Sequence, residues 1–116
     1  MSEVTLTIRF VCQPEHSPHW QTSFELLQQE RRGWQLQDAI DPISLTAADA
    51  LEEVWQQLYY GSDAFDIAAY EVDGQQCSLT IVTGAGIAQQ LIKHFVPWLQ
   101  SCPVSNMECK LSSEGD

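Results

Sequence analysis

Residues 4 to 12 alternate, with Val4, Leu6, Ile8, Phe10 and Cys12 on one parity and Thr5, Thr7 and Arg9 on the other. A two-residue period with one wet face reads as a half-buried strand. After a loop marked by Pro14 and Pro18, Trp20, Thr22, Phe24 and Leu26 alternate with Gln21, Ser23 and Glu25. The same rule predicts a second strand there. Arg31, Arg32 and Gly33 read as a turn, and residues 34 to 37 as a short third strand pairing back on the second. The segment from Leu26 to Arg32 also admits a helical reading.

The period then changes. Thr46 with Asp49 three residues on has the form of a capping box, Leu51, Val54, Trp55 and Leu58 follow at helical spacing, and Gly61 closes the run. A helix over residues 46 to 60 is expected. Phe65, Ile67 and Ala69, then Asp73-Gly74, then Cys77, Leu79 and Ile81 form two alternating runs about a tight-turn dipeptide, which predicts a hairpin. Gly84 and Gly86 lead into Ile87, Leu91, Ile92 and Phe95, a second amphipathic helix that Pro97 should end or kink. Met107, Cys109 and Leu111 alternate with Glu108 and Lys110 as a last strand, and residues 112 to 116 read as a frayed tail.

The expected order is therefore βββαββαβ, an α+β two-layer domain. Its sheet is mainly antiparallel, with two helices packed on one face. The expected core includes Ile8, Phe24, Leu51, Trp55, Leu79 and Leu91. At 116 residues, 1 to 116 fit one domain with one real core, and 44% hydrophobic residues with four tryptophans argue against disorder.

Charge sharpens this picture. Formal net charge is −11, and between Gly33 and Ile92 lie Asp38, Asp41, Asp49, Glu52, Glu53, Asp63, Asp66, Glu71 and Asp73 with no lysine or arginine. Such a field attracts cationic partners and repels nucleic acid and anionic membranes. No stretch reaches the roughly 18 apolar residues of a membrane span. The N-terminus lacks the basic start and apolar run of an export signal, so a cytoplasmic location with the four cysteines reduced is expected.

Specific chemistry is thin. Cys12, His16 and His19 supply three metal-ligand types without a fourth at a recognised spacing, so no metal is assigned. Residues 81 to 86 pass through two glycines into a helix, but without the third glycine of a dinucleotide loop or the lysine of a mononucleotide loop, so no cofactor is assigned. No catalytic residue is assigned either: His94, the one histidine on an expected helix or strand, sits off the apolar stripe beside Lys93, as a boundary residue would.

On a helix advancing about 100° per residue, Asp49, Glu53 and Tyr60 fall opposite the core stripe, and Asp63 and Asp66 follow at once. An aromatic ringed by carboxylates suits a basic protein partner, because aromatics carry interface energy while charge sets the association rate. These five residues are the expected partner-binding set. The expected function is a small acidic protein-binding module, an inhibitor or immunity-type protein engaging a nuclease or nucleic-acid-binding factor. Two other readings stand beside it: a small enzyme or small-molecule or anion binder at the Gly84–Gly86 helix start, and a structural subunit that self-associates through the alternating sheet face or an edge strand, away from the acidic face.

Overall fold

The alternation in the first segment produces the strand it predicts. In the computed structural model, which describes residues 3–113, β1 (Glu3–Cys12) buries Val4, Leu6, Ile8, Phe10 and Cys12 and leaves Thr5, Thr7 and Arg9 on the other face. The hairpin forms from β2 (Asp66–Asp73) and β3 (Gln76–Gly84), and the last strand is β4 (Val104–Ser113). All pairings are antiparallel, in the order β2-β3-β1-β4. Ser112 and Ser113, expected in the tail, belong to β4, and residues 114–116 lie outside the described residues.

The second and third expected strands are helices. α1 (Ser17–Gln28) buries Trp20, Ser23, Phe24 and Leu27, which is helical spacing, while Thr22 is exposed. Trp20, Phe24 and Leu26 also alternate, so the sequence satisfied both periods, and the polar Ser23 hid the helical one. Its hydroxyl donates to the His19 carbonyl at 2.7 Å, which makes a serine acceptable in the core. Pro18 lies in the first turn, where its missing N–H costs nothing. α1 ends with Glu30 at φ 61°, Glu30 N–H donating to the Leu27 carbonyl and Arg31 N–H to that of Leu26, a left-handed cap built without glycine. In α2 (Trp34–Ile40) the buried pair is Leu36 and Ile40, and Trp34 points outward. The element order is thus βαααββ, then a final helical segment, then β, and the helical layer holds more than the two helices expected.

α3 (Leu45–Gln56) falls close to expectation but starts differently. Its cap is Ser44, whose hydroxyl accepts from the Ala47 N–H at 3.2 Å, in place of the Thr46–Asp49 box. It also stops at Gln56, and Gly61 takes a φ of 66° in the turn beyond. In the hairpin, Gly74 at φ 60° and Gln75 form the two-residue loop closed by Asp73 opposite Gln76. A register shift between Ile67 and Ala69 reverses the parity of β2, so Ala69, expected inside, is exposed, whereas Tyr70 and Val72 pack on the core.

Pro97 does not end the last helical segment; it lies in the first turn of an α-helix that follows a π-helical turn. α4 (Ala85–Gln90) widens into a π-helical turn (Leu91–Phe95), where Val96 N–H donates five residues back to Leu91, and α5 (Val96–Gln100) continues past the proline. The extra residue per turn makes room for a ring that would strike the preceding carbonyl of a regular helix.

One face of the sheet packs beneath the helices and the other is bare. Ile8, Phe24, Leu51, Trp55, Leu79 and Leu91 all belong to the single buried cluster. Two aromatic groups fill its ends: Phe10, Trp20, Phe24 and Tyr70 under α1, and Trp55, Phe65, Phe95 and Trp98 under α3, with Trp55 and Trp98 each stacked on Phe95 at 5.8 and 5.7 Å.

The helical phase of α1 predicts opposite outcomes at adjacent positions. Ser23→Glu should lower stability by about 3 kcal/mol or more, since it buries a charge without a partner, and Thr22→Glu should stay within about 0.5 kcal/mol. Denaturant titration of the two variants reads this directly, and the reverse ranking would restore the strand.

Candidate functional site

A buried cation lies close to part of the acidic stretch. Arg32, in the connection between α1 and α2, is only 2% exposed. Its Nε donates to the Leu27 carbonyl at 2.9 Å, and one terminal nitrogen donates to the carbonyls of Phe65, at 2.9 Å, and of Ser62. The guanidinium lies over the Phe65 ring, 4.2 Å from its centroid. The Arg32 carbonyl accepts from the Trp55 indole at 2.8 Å. One residue thus joins the end of α1, the turn after α3, the entry to β2 and the last turn of α3. Burial pulls the guanidinium below the usual arginine range, and the nearby charges of Glu30, Asp63 and Asp66 oppose that shift.

Beside Arg32 opens a cleft of about 280 Å³ lined by Gly33, Trp34, Gln37, Leu51, Glu52 and Trp55. Trp34 is its exposed rim at 68%, and Gln37 bridges toward α3 through the Ala48 carbonyl at 3.4 Å. Tyr59 and Tyr60, at 73% and 76%, project from the chain leaving α3, and Leu45, at 63%, from its first turn. Among the described residues five large apolar side chains are exposed, and four of them fall between residues 34 and 60. That stretch lies inside the segment that carries no lysine or arginine.

Asp49, Glu53, Tyr60, Asp63 and Asp66 are all exposed. Asp49 and Glu53 stand one turn apart on α3, and Glu53 borders a shallow groove with Ala50, Val54, Gln57 and the half-buried His94. Tyr60 lies beyond the last turn of α3, so its exposure comes from the turn and not from helical phase. Asp63 and Asp66 stand within electrostatic reach of Arg32, which gives them a part in holding the fold as well as a place on its surface.

Trp34, Tyr59 and Glu52 extend this face and were absent from the expected set. Trp34 was placed in a strand, where an aromatic reads as core, and Tyr59 sits next to the apolar Leu58. The available signal was Leu36 with Ile40, a four-residue spacing that would have put α2 in helical phase and turned Trp34 outward.

The other sequence candidates do not converge. Cys12 faces the core near Cys77, and among the described residues no group of three or more His, Cys, Asp or Glu side chains gathers at one point. Gly84 and Gly86 are exposed, have ordinary φ values, and a Cβ at either would meet nothing within 4 Å, so neither is required for a close approach. No protein-family model, no curated protein and no solved structure matches the chain.

Two outcomes follow. Arg32→Met should cost about 3 to 5 kcal/mol because it leaves buried carbonyls without donors, and Arg32→Lys should recover only part of that loss, an ammonium lacking the planar fork. A loss under 1 kcal/mol by denaturant titration would mean the guanidinium is not buried. For the cysteines, burial raises the Cys77 thiol, with Cys12 beside it adding to the shift, and pushes that of Cys102 up to about 12. A maleimide applied to the folded protein should therefore label only the exposed Cys109, faster as pH rises because partial burial raises that thiol too, and denaturant should release all four.

Proposed function

We propose that this chain is a protein-binding module that receives a basic partner on the shoulder formed by α2, α3 and the turn after α3. The observation that carries the reading is a coincidence along the chain: the exposed aromatics Trp34, Tyr59 and Tyr60 stand in the same stretch as the carboxylates Asp38, Asp41, Asp49, Glu52 and Glu53, and Trp34 and Glu52 line one cleft. Solubility alone is served by scattered charge and gains nothing from exposed rings. A cationic partner gains from both, because long-range attraction speeds encounter and aromatic anchors slow release.

The partner class is a protein whose own binding cleft is basic, such as a nuclease or another nucleic-acid-binding factor. Carboxylates presented where phosphates would lie compete for that cleft, which makes inhibition the natural consequence of binding. Asp49 and Glu53 are the steering charges, and Tyr60 with Trp34 the anchors. Asp63 and Asp66 contribute to the same field but are poor positions for testing it, since reversing either also removes a counter-charge of Arg32.

The test compares the wild-type protein with Asp49→Lys/Glu53→Lys and with Trp34→Ala/Tyr60→Ala. Each is used to capture proteins from the native lysate at low and high salt, and surface plasmon resonance follows on the captured species. The reading expects a basic partner, an association rate reduced about tenfold or more by the charge reversals and by salt, and faster dissociation for the aromatic variant. An acidic partner, or one whose binding survives the charge reversals in a folded protein, would contradict it.

A further inference from the structure

The two edges of the sheet are built differently. β2 carries Asp66, Glu71 and Asp73 with no basic residue, and a bulge interrupts it after Ile67. Charges and bulges of this kind keep an edge from pairing with another strand. β4, at the opposite edge, has no bulge along its second half and no net charge: its register against β1 is regular from Glu108 opposite Arg9 to Ser113 opposite Val4, and the irregularity with Asn106 at φ 53° lies before it. The strand is electrically neutral, with Glu108 and Lys110 as its two charges. It also holds Leu111, 40% exposed, and the exposed Cys109. Within the described residues nothing pairs with its outer row of backbone groups.

The sequence of this edge is complementary to itself. In an antiparallel pair related by a two-fold axis at Cys109, Glu108 stands opposite Lys110 of the copy and Lys110 opposite its Glu108, on the bare face of the sheet. Met107 stands opposite Leu111 of the copy, both on the helical side, as the pairing of Leu111 with Leu6 and of Cys109 with Ile8 requires. Directly opposed charges of unlike sign and opposed apolar side chains are the two kinds of cross-strand pair that stabilise a sheet. A shift by one residue would place Glu108 opposite Cys109 or Leu111 of the copy and lose both ion pairs.

We propose that a second copy of this chain pairs with β4, antiparallel and centred on Cys109, to give an eight-stranded sheet across the dimer. The β2 edges and their acids then lie at the two far ends, so the acidic surfaces are not crowded together. The pairing rests on one strand from each copy, so a weak, concentration-dependent association is expected.

The experiment is light scattering coupled to size exclusion over a concentration series of the full chain, with four proteins: wild type, Glu108→Lys, Lys110→Glu and the double swap. The expected result is a dimer that weakens about tenfold in each single variant, where two pairs of like charges now face each other, and returns in the swap. A short bis-maleimide reads the register. It should join Cys109 to Cys109 of the copy, and should fail in Cys109→Ser/Ser112→Cys, whose two new thiols lie about 20 Å apart in this pairing. A chain that stays monomeric at every concentration overturns the proposal and leaves the edge to a strand of some other protein or to solvent. So does a dimer that ignores the single charge changes, or a Ser112→Cys variant that cross-links as well as the wild type.

Discussion

A guanidinium with almost no contact with water is the constraint around which the helical layer is arranged. Arg32 must find acceptors for its N–H groups, and it finds them in three carbonyls contributed by the end of α1, the turn after α3 and the approach to β2. The acceptor at the end of α1 is favourable twice, since it accepts the bond and belongs to the negative end of the helix. Among the described residues no carboxylate touches the cation; Glu30, Asp63 and Asp66 act at longer range, and the Phe65 ring supplies a polarisable face. One terminal nitrogen has no partner among the described residues. The arrangement fixes where Trp34 begins α2 and where Trp55 sits in α3, and so sets the walls of the cleft between them.

The same arrangement divides the acidic stretch into two populations. Asp63 and Asp66 compensate Arg32, whereas Asp38, Asp41, Asp49, Glu52 and Glu53 balance no buried charge and are left to act outward. Under them lies the stacked group of Trp55, Phe95 and Trp98, with the Trp98 indole donating to the Ala47 carbonyl at 2.8 Å. The outward face therefore rests on rigid packing, which limits the ordering entropy a partner would have to overcome. The β4 edge, with Glu108 and Lys110 as its two charges, shares no residue with this face.

How much could be read in the chain depended on whether one period or two fitted each segment. β1 admits only the two-residue period and formed as expected; the Leu51–Leu58 run admits only the helical one, and its helix formed but stopped at Gln56, short of Leu58. α1 admits both, and tertiary packing selected the helical one by giving the Ser23 hydroxyl a carbonyl to bond. α2 failed for the same reason at shorter length. Phe24 was nevertheless placed in the core correctly, because strand and helix agree on that residue. The acidic surface was visible in the sequence because charge counts need no geometry. The burial of Arg32 was not, since it depends on contacts between residues some 20 to 35 positions apart, and the exposure of Trp34 was hidden by the strand reading of its short segment. The bulge in β2 and the π-helical turn ahead of Pro97 likewise have no short-range signature in these residues.

The claim at the centre of this account is that the α2–α3 shoulder, and not acidic surface in general, recognises cationic protein. A ¹⁵N-resolved titration with an arginine-rich peptide tests it most directly, because the four indole resonances separate the exposed Trp34 from the buried Trp20, Trp55 and Trp98. The account predicts saturable, salt-sensitive changes concentrated at the Trp34 indole and at the amides of Asp49 to Gly61, with little change at Glu3, Glu15, Glu71 or Glu108. Changes of equal size at all of these acids, with the Trp34 indole unmoved, would contradict it.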